Sequence, residues 1–382
     1  MLKIDPFKVK NILDIHWKWF EKRTDDKKIE ITFSNDKTWK MPCWFFLKKY
    51  FDFDKDDVEK LVKANYDELE DYIKPSNSIY KKYQKGLNSW GSSKKDSARD
   101  KLLEAFGYNN FINGNFNDEI DWWAYEFTRK LNVDVCPYCG RQYIYTIGEN
   151  DEKYGRPQID HYFPEADYPY LSCSLYNFIP SCPACNHQKK DKYNVKTEDE
   201  CIKWVPYPYK DCFDEIVDGK KITHVKFKTS YKIVKDKLKK QENLGYRVKL
   251  KDVDGMLGEK LENAKKAFHL EDLYEMHTIE LEDLFCRYRN YSHPKLDEIF
   301  KMIVNVDENI MKCPPTEREI LMKKMVTTYI KRMKNVILGF PLGIGDKQYP
   351  LRKFKEEVVE QLNRKRDDML EEEKRMRLAA ES

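Results

Sequence analysis

No stretch of this 382-residue chain approaches the run of about 20 apolar residues that a membrane-spanning helix needs. Its first twenty residues, MLKIDPFKVKNILDIHWKWF, lack the uninterrupted apolar core of a signal peptide, so a cytoplasmic protein is expected. A glycine-rich phosphate-cradling loop is missing too, which argues against nucleotide hydrolysis by this chain alone. There is no internal repeat. Nor is there a broad excess of positive charge: 70 Lys and Arg stand against 66 Asp and Glu, a net of +4. Any nucleic-acid surface must therefore be local. Ten cysteines show no dense, disulfide-like pattern, and Cys43, Cys173, Cys201, Cys212, Cys286 and Cys313 are scattered. Buried reduced thiols are the expectation for those six.

What is present is a polar-surfaced, aromatic-rich chain, with 36% charged and 14% aromatic residues, long enough for two or three domains. Residues 1–130 read as mainly helical. Phe7, Ile12, Leu13, Ile15, His16 and Phe20 form an imperfect helical stripe, and residues 58–73 form a clearer one. His16 reads as a core histidine. Residues 76–97, polar and bearing Gly and Ser, suggest a loop. Residues 121–131 read as a helix whose tryptophans pack inward. Beyond residue 195 the alternation in ITHVKFKTSYKIV predicts a strand or hairpin near residues 222–234, running into a lysine-rich patch at 232–240 that serves either DNA contact or a solvated edge. Helices are then expected at about 258–270, 272–291, 294–304, 316–338 and 351–378, with a turn-rich break at 339–350.

The most informative stretch lies between these flanks. Cys136/Cys139 and Cys182/Cys185 are two Cys-x-x-Cys turns, and together they supply the tetrahedral four-sulfur shell typical of structural Zn²⁺. Pro137, Gly140 and Pro183 supply turn chemistry suited to such knuckles. The 42 residues from Gly140 to Ser181 make an insert longer than a zinc finger needs, so it is expected to carry function. Within it, QIDHYF reads as a strand ending near Pro164. Asp160 and His161 would point to opposite faces of a regular strand, and one site can use both only at its end. Asn177 sits in a second apolar run, LYNFIP. Ser181 is a candidate N-cap for a helix on which Asn186 and Lys190 share a face, with Lys189 adjoining and His187 pointing elsewhere.

In order, Cys-x-x-Cys, Asp-His-x-x-Pro, Asn and Cys-x-x-Cys-Asn-x-x-Lys resemble the zinc-braced branch of the HNH endonuclease superfamily, over about 60 of the 382 residues. The resemblance implies a small ββα-metal module at 131–195, and with the periodicity of the flanks the expectation is a mainly α chain, helical at 1–130 and mostly helical at 196–382. It also implies His161 as general base, Asp160 and Asn186 as ligands of the catalytic cation, and Asn177 as the residue holding the His-bearing loop. One departure is Asn186 where the signature often has His, which leaves His187 as a rival. An HNH module with large helical flanks also resembles nuclease effectors of bacterial anti-phage systems, such as the Septu-type pairing with a separate ATPase. That implies a regulatory partner.

The chemistry asks for these residue types. Phosphodiester hydrolysis needs a base near neutral pH, which imidazole provides, and a cation held by carboxylate or amide oxygens, which suits Mg²⁺ or Mn²⁺. Lys189, Lys190 and Lys192 are candidates for phosphate contact, and a solvated basic face accounts for them equally. Two other readings stay open. One is a non-cleaving, zinc-stabilised nucleic-acid-binding module, and the other is an RNA-cleaving HNH variant.

Overall fold

The computed structural model describes residues 1–91, 94, 97–114, 122–148, 154–192, 198–236, 241–290 and 349–380. Among them the chain is mainly α, with short antiparallel β pairs. In order come α1 (Pro6–Lys10), α2 (Leu13–Asp26), β1 (Lys28–Thr32), β2 (Thr38–Pro42), α3 (Cys43–Phe51), α4 (Lys55–Lys63), α5 (Tyr66–Tyr72) and α6 (Ser78–Ser89). These are followed by α7 (Ala98–Phe106), α8 (Tyr108–Asn113), α9 (Ala124–Leu131), β3 (Gln158–His161), β4 (Phe178–Ser181), α10 (Pro183–Lys192) and α11 (Glu198–Ile202). The remainder is β5 (Asp214–Val217), β6 (Lys220–Thr223), β7 (Val225–Asp236), β8 (Gln241–Asp252), α12 (Gly258–Phe268), α13 (Leu270–Glu275), α14 (Thr278–Asn290) and α15 (Arg352–Ala380). None of the described helices is long and apolar enough to cross a membrane.

Two compact units result. The first comprises residues 1–224 and 252–270, so the 131–195 segment folds in the same unit as the N-terminal helices. Phe111 of α8 and Phe127 of α9 pack their rings on Phe178 of β4. His16 is indeed a core residue: its Nε2 meets the Cys173 carbonyl at 2.8 Å, and its Nδ1 accepts from Trp122 Nε1. The second unit comprises residues 225–251 together with the described residues from 271 onward. In it, α15 caps an edge of β7, with Glu357 accepting from the Phe227 N–H and Gln361 from that of Thr229. Glu271 and Glu275 do the same for Leu250 and Val248 of β8. Side chains thus satisfy strand groups that would otherwise invite edge pairing.

Several local expectations are corrected. The stripe at 58–73 is two helices, because Asn65 accepts from the Asp67 and Glu68 N–H groups while Glu68 accepts from the Asn65 N–H, a capping box that restarts the helix. The loop expected at 76–97 contains α6, capped by Asn77 and burying Ile79, Tyr83 and Gly86. There glycine is a packing residue, since a Cβ on Gly86 would lie 2.3 Å from the Phe51 ring. A hairpin, β1 and β2, appears in the region read as helical. Residues 272–291 break between α13 and α14. The helices expected at 294–304 and 316–338, and the lysine side chains at 232–240, lie outside the described residues and side chains.

Candidate functional site

Four thiols come together first. The Sγ atoms of Cys136, Cys139, Cys182 and Cys185 all lie within 4.8 Å of one another, and all four residues are buried. A tetrahedron of Zn–S bonds of about 2.3 Å has edges of about 3.8 Å, so the cluster suits one metal ion such as zinc. Backbone donors point at the sulfurs: Arg141 N–H reaches Cys139 Sγ and Cys182 N–H reaches Cys136 Sγ, each at 3.4 Å. Burial raises the Cys136 thiol and hydrogen bonds among the four sulfurs raise that of Cys185, while the same bonds lower those of Cys139 and Cys182. The thiolate is the form that binds metal. The other cysteines with described side chains, Cys43, Cys173, Cys212 and Cys286, stand apart from this cluster, and only Cys286 is exposed.

Between the two knuckles the chain makes a short antiparallel pair and then a helix. β3 and β4 align Gln158 with Ser181, Asp160 with Ile179 and His161 with Phe178. Pairing runs one bond further, Tyr162 N–H to the Asn177 carbonyl, before Pro164 stops it. α10 opens at Pro183, with its first bond from Asn186 N–H to the Cys182 carbonyl. Ser181 is therefore not the cap. It is the last residue of β4, and its Oγ is buried without a hydrogen bond.

Asn177 ties down the loop after His161. Its Oδ1 accepts from Phe163 N–H at 2.7 Å, and its Nδ2 donates to the Phe163 and Leu171 carbonyls. His161 is 5% exposed, with Tyr108 edge-on at 4.3 Å and Phe178 at 5.3 Å. Its Nε2 lies 3.0 Å from the Ser172 carbonyl. A carbonyl only accepts, so Nε2 carries the proton and Nδ1 the lone pair. Burial, with the Lys189 and Lys190 charges, pulls the ring down to about 3 against the Ser172 bond. The imidazole is thus neutral at physiological pH.

Asp160 faces another set of groups, as strand alternation requires. Its Oδ2 accepts from the Tyr138 hydroxyl at 2.7 Å and from Lys189 Nζ at 2.8 Å. Lys189 also donates to the His161 and Tyr162 carbonyls, and its side chain is 2% exposed. The expectation of Lys189 as a surface phosphate contact is therefore corrected: its ammonium is spent inside the protein, because a buried charge is tolerated only when paired and hydrogen-bonded. Lys190 and His187 are exposed on α10, and the Lys192 side chain lies outside those described. Asn186 is 7% exposed, donates Nδ2 to Gln158 Oε1 at 2.8 Å, and leaves Oδ1 buried with no hydrogen bond.

Two residues that the spacing did not flag join the site. Tyr138 is an intervening residue of the first knuckle, and its ring stacks on Phe268 of α12 at 4.9 Å. Burial, with the Asp160 charge, pushes its phenol well above the usual range, so it remains a donor. Glu165 brings Oε2 to 3.3 Å from His161 Nδ1. Only its position four residues past His161, beyond a proline, hinted at that. Burial first, then the Asp160 charge, raises its carboxyl. The chain matches no protein-family model, no curated protein and no solved structure.

Proposed function

We propose that this chain is a metal-dependent endonuclease of the HNH type that hydrolyses DNA phosphodiester bonds, with β3, β4 and α10 as its catalytic module. The observation that carries this reading is a group of unused lone pairs at the end of β3 and on α10. His161 Nδ1, Asp160 Oδ1 and Asn186 Oδ1 receive no hydrogen bond among the described residues. Nitrogen for a proton and two oxygens for a hard cation match what the reaction consumes.

Asp160 and Asn186 would hold Mg²⁺ or Mn²⁺, and their orphaned oxygens fit such an ion. When bound, the cation neutralises charge on the scissile phosphate and the departing oxygen. Tyr138 and Lys189 fix Asp160 through Oδ2. Ser172 and Asn177 fix the His161 ring and its loop, so Nδ1 takes the proton of the attacking water. An incoming phosphate is anionic and strengthens that nitrogen as a base. Among the described side chains of α10, exposed Lys190 and His187 are the groups available to backbone phosphates. A separate ATPase subunit, as in anti-phage systems of this type, is the proposed regulator, and co-purification from the native host tests it.

One observation favours the non-cleaving alternative: the Asp160 charge is already balanced by Lys189. Supercoiled plasmid, with single-stranded RNA alongside, incubated with Mg²⁺ or Mn²⁺ separates the readings. DNA nicking that disappears in His161→Ala is the expected result. Cutting that survives His161→Ala unchanged would overturn the assignment, and tight, salt-dependent binding without cutting would favour the binding module.

A further inference from the structure

Glu165 Oε2 is buried and takes no hydrogen bond, although His161 Nδ1 is only 3.3 Å away. With the His161 proton on Nε2 facing Ser172, Nδ1 has nothing to donate, and a carboxylate has nothing to donate either. Two electron-rich atoms therefore face each other across a hydrogen-bond distance without a bond. Among the described residues no side chain donates to either. The arrangement is costly unless a donor serves both atoms. A water that gave one hydrogen to Nδ1 and the other to Oε2 would serve both, with its lone pairs directed away from them.

We propose that Glu165 is a catalytic residue that, together with His161, holds the nucleophilic water by its two hydrogens. This rests on the nuclease reading. In the step, the water oxygen forms the new bond to phosphorus while one of its protons passes to His161 Nδ1. The bond from phosphorus to the 3′ oxygen breaks, the polarity that the HNH resemblance implies; its electron pair stays on that oxygen, and solvent water supplies the proton that makes the 3′-hydroxyl. The second hydrogen stays on the new 5′-phosphate, still directed at Glu165, and the imidazolium returns its proton to solvent. Orientation of this kind acts in the transition state and so appears in kcat.

The test uses the full chain with Mn²⁺ and supercoiled plasmid. Glu165→Gln keeps shape but replaces an acceptor with a donor, and kcat is expected to fall on the order of 100-fold. KM and Mn²⁺ affinity, the latter read by electron paramagnetic resonance, should stay within about twofold of wild type. Because the Glu165 side chain is 32% exposed, added formate should reach the gap left by Glu165→Ala and restore cutting in a saturable way. Unchanged kcat in Glu165→Gln, or no formate rescue, would overturn the proposal. So would Mn²⁺ affinity falling in step with rate, which would make Glu165 a cation ligand. If wild type cuts and His161→Ala does not, these results bear on Glu165 alone. If wild type cuts nothing, or cuts with no cation, the metal-dependent nuclease reading falls and takes this inference with it.

Discussion

The Tyr138 hydroxyl donates a 2.7 Å hydrogen bond to Oδ2 of Asp160. Tyr138 lies between Cys136 and Cys139, so the bond joins the sulfur cluster to the strand end that carries Asp160 and His161. Tyr138→Phe removes it without removing the ring that packs on Phe268. A buried hydrogen bond to a charged group contributes about 1.5–3 kcal/mol. Urea unfolding should show a loss of that size, with metal content unchanged. An unaltered midpoint would mean that Lys189 alone suffices to hold Asp160.

Lys189 and Lys190 are neighbours in sequence with opposite fates. Lys189→Met leaves Asp160 buried without its counter-charge and should cost roughly 3–5 kcal/mol. Lys190→Met, on the exposed face, should stay within about 0.5 kcal/mol of wild type. If Lys190 meets a phosphate, its loss lowers the salt dependence of DNA binding by about one unit of slope. Denaturant titrations of both variants check the first contrast, and equal stabilities would contradict the buried ion pair.

Metal analysis of purified protein should find one firmly held zinc per chain, since the buried sulfurs make a single cluster. Chelation, or Cys139→Ser, removes a structural ligand set and should lower the melting temperature of the unit containing α1 to α12. Melting that ignores a strong chelator would argue for four plain thiols.

His224 gives a pH signature. Burial opposes its charged form, but the 2.6 Å contact with Asp254 and the 3.3 Å contact with Glu215 outweigh that and raise its pKa above 6.5. The folded state therefore binds the proton more tightly than the unfolded chain. Its contribution is complete below pH 6.5 and is lost as pH rises through the higher folded value. Stability compared from about pH 6 to about pH 8 should decline more in wild type than in His224→Gln. Parallel profiles would contradict the pairing.

Some of this is legible without coordinates because it is local. A Cys-x-x-Cys turn places its own sulfurs, so the two pairs needed only to meet. Alternation in a strand sets Asp160 and His161 on different faces, and they do face different partners. Even so, local signals misled where packing outweighed them. Gly86 and its polar neighbours looked like a loop until the Phe51 ring gave that face something to bury against.

The residue pattern by itself determined the cysteine cluster, the mainly helical class with short strands, and the Asp-His pair at a strand end, since each depends on spacings within a few residues. Only the tertiary structure decided that Lys189 turns inward to Asp160, that Tyr138 bridges knuckle and carboxylate, and that Glu165 meets His161 Nδ1. Those contacts are set by which surfaces exclude water together, and burial of a charge or an orphaned oxygen has no signature in the order of the residues.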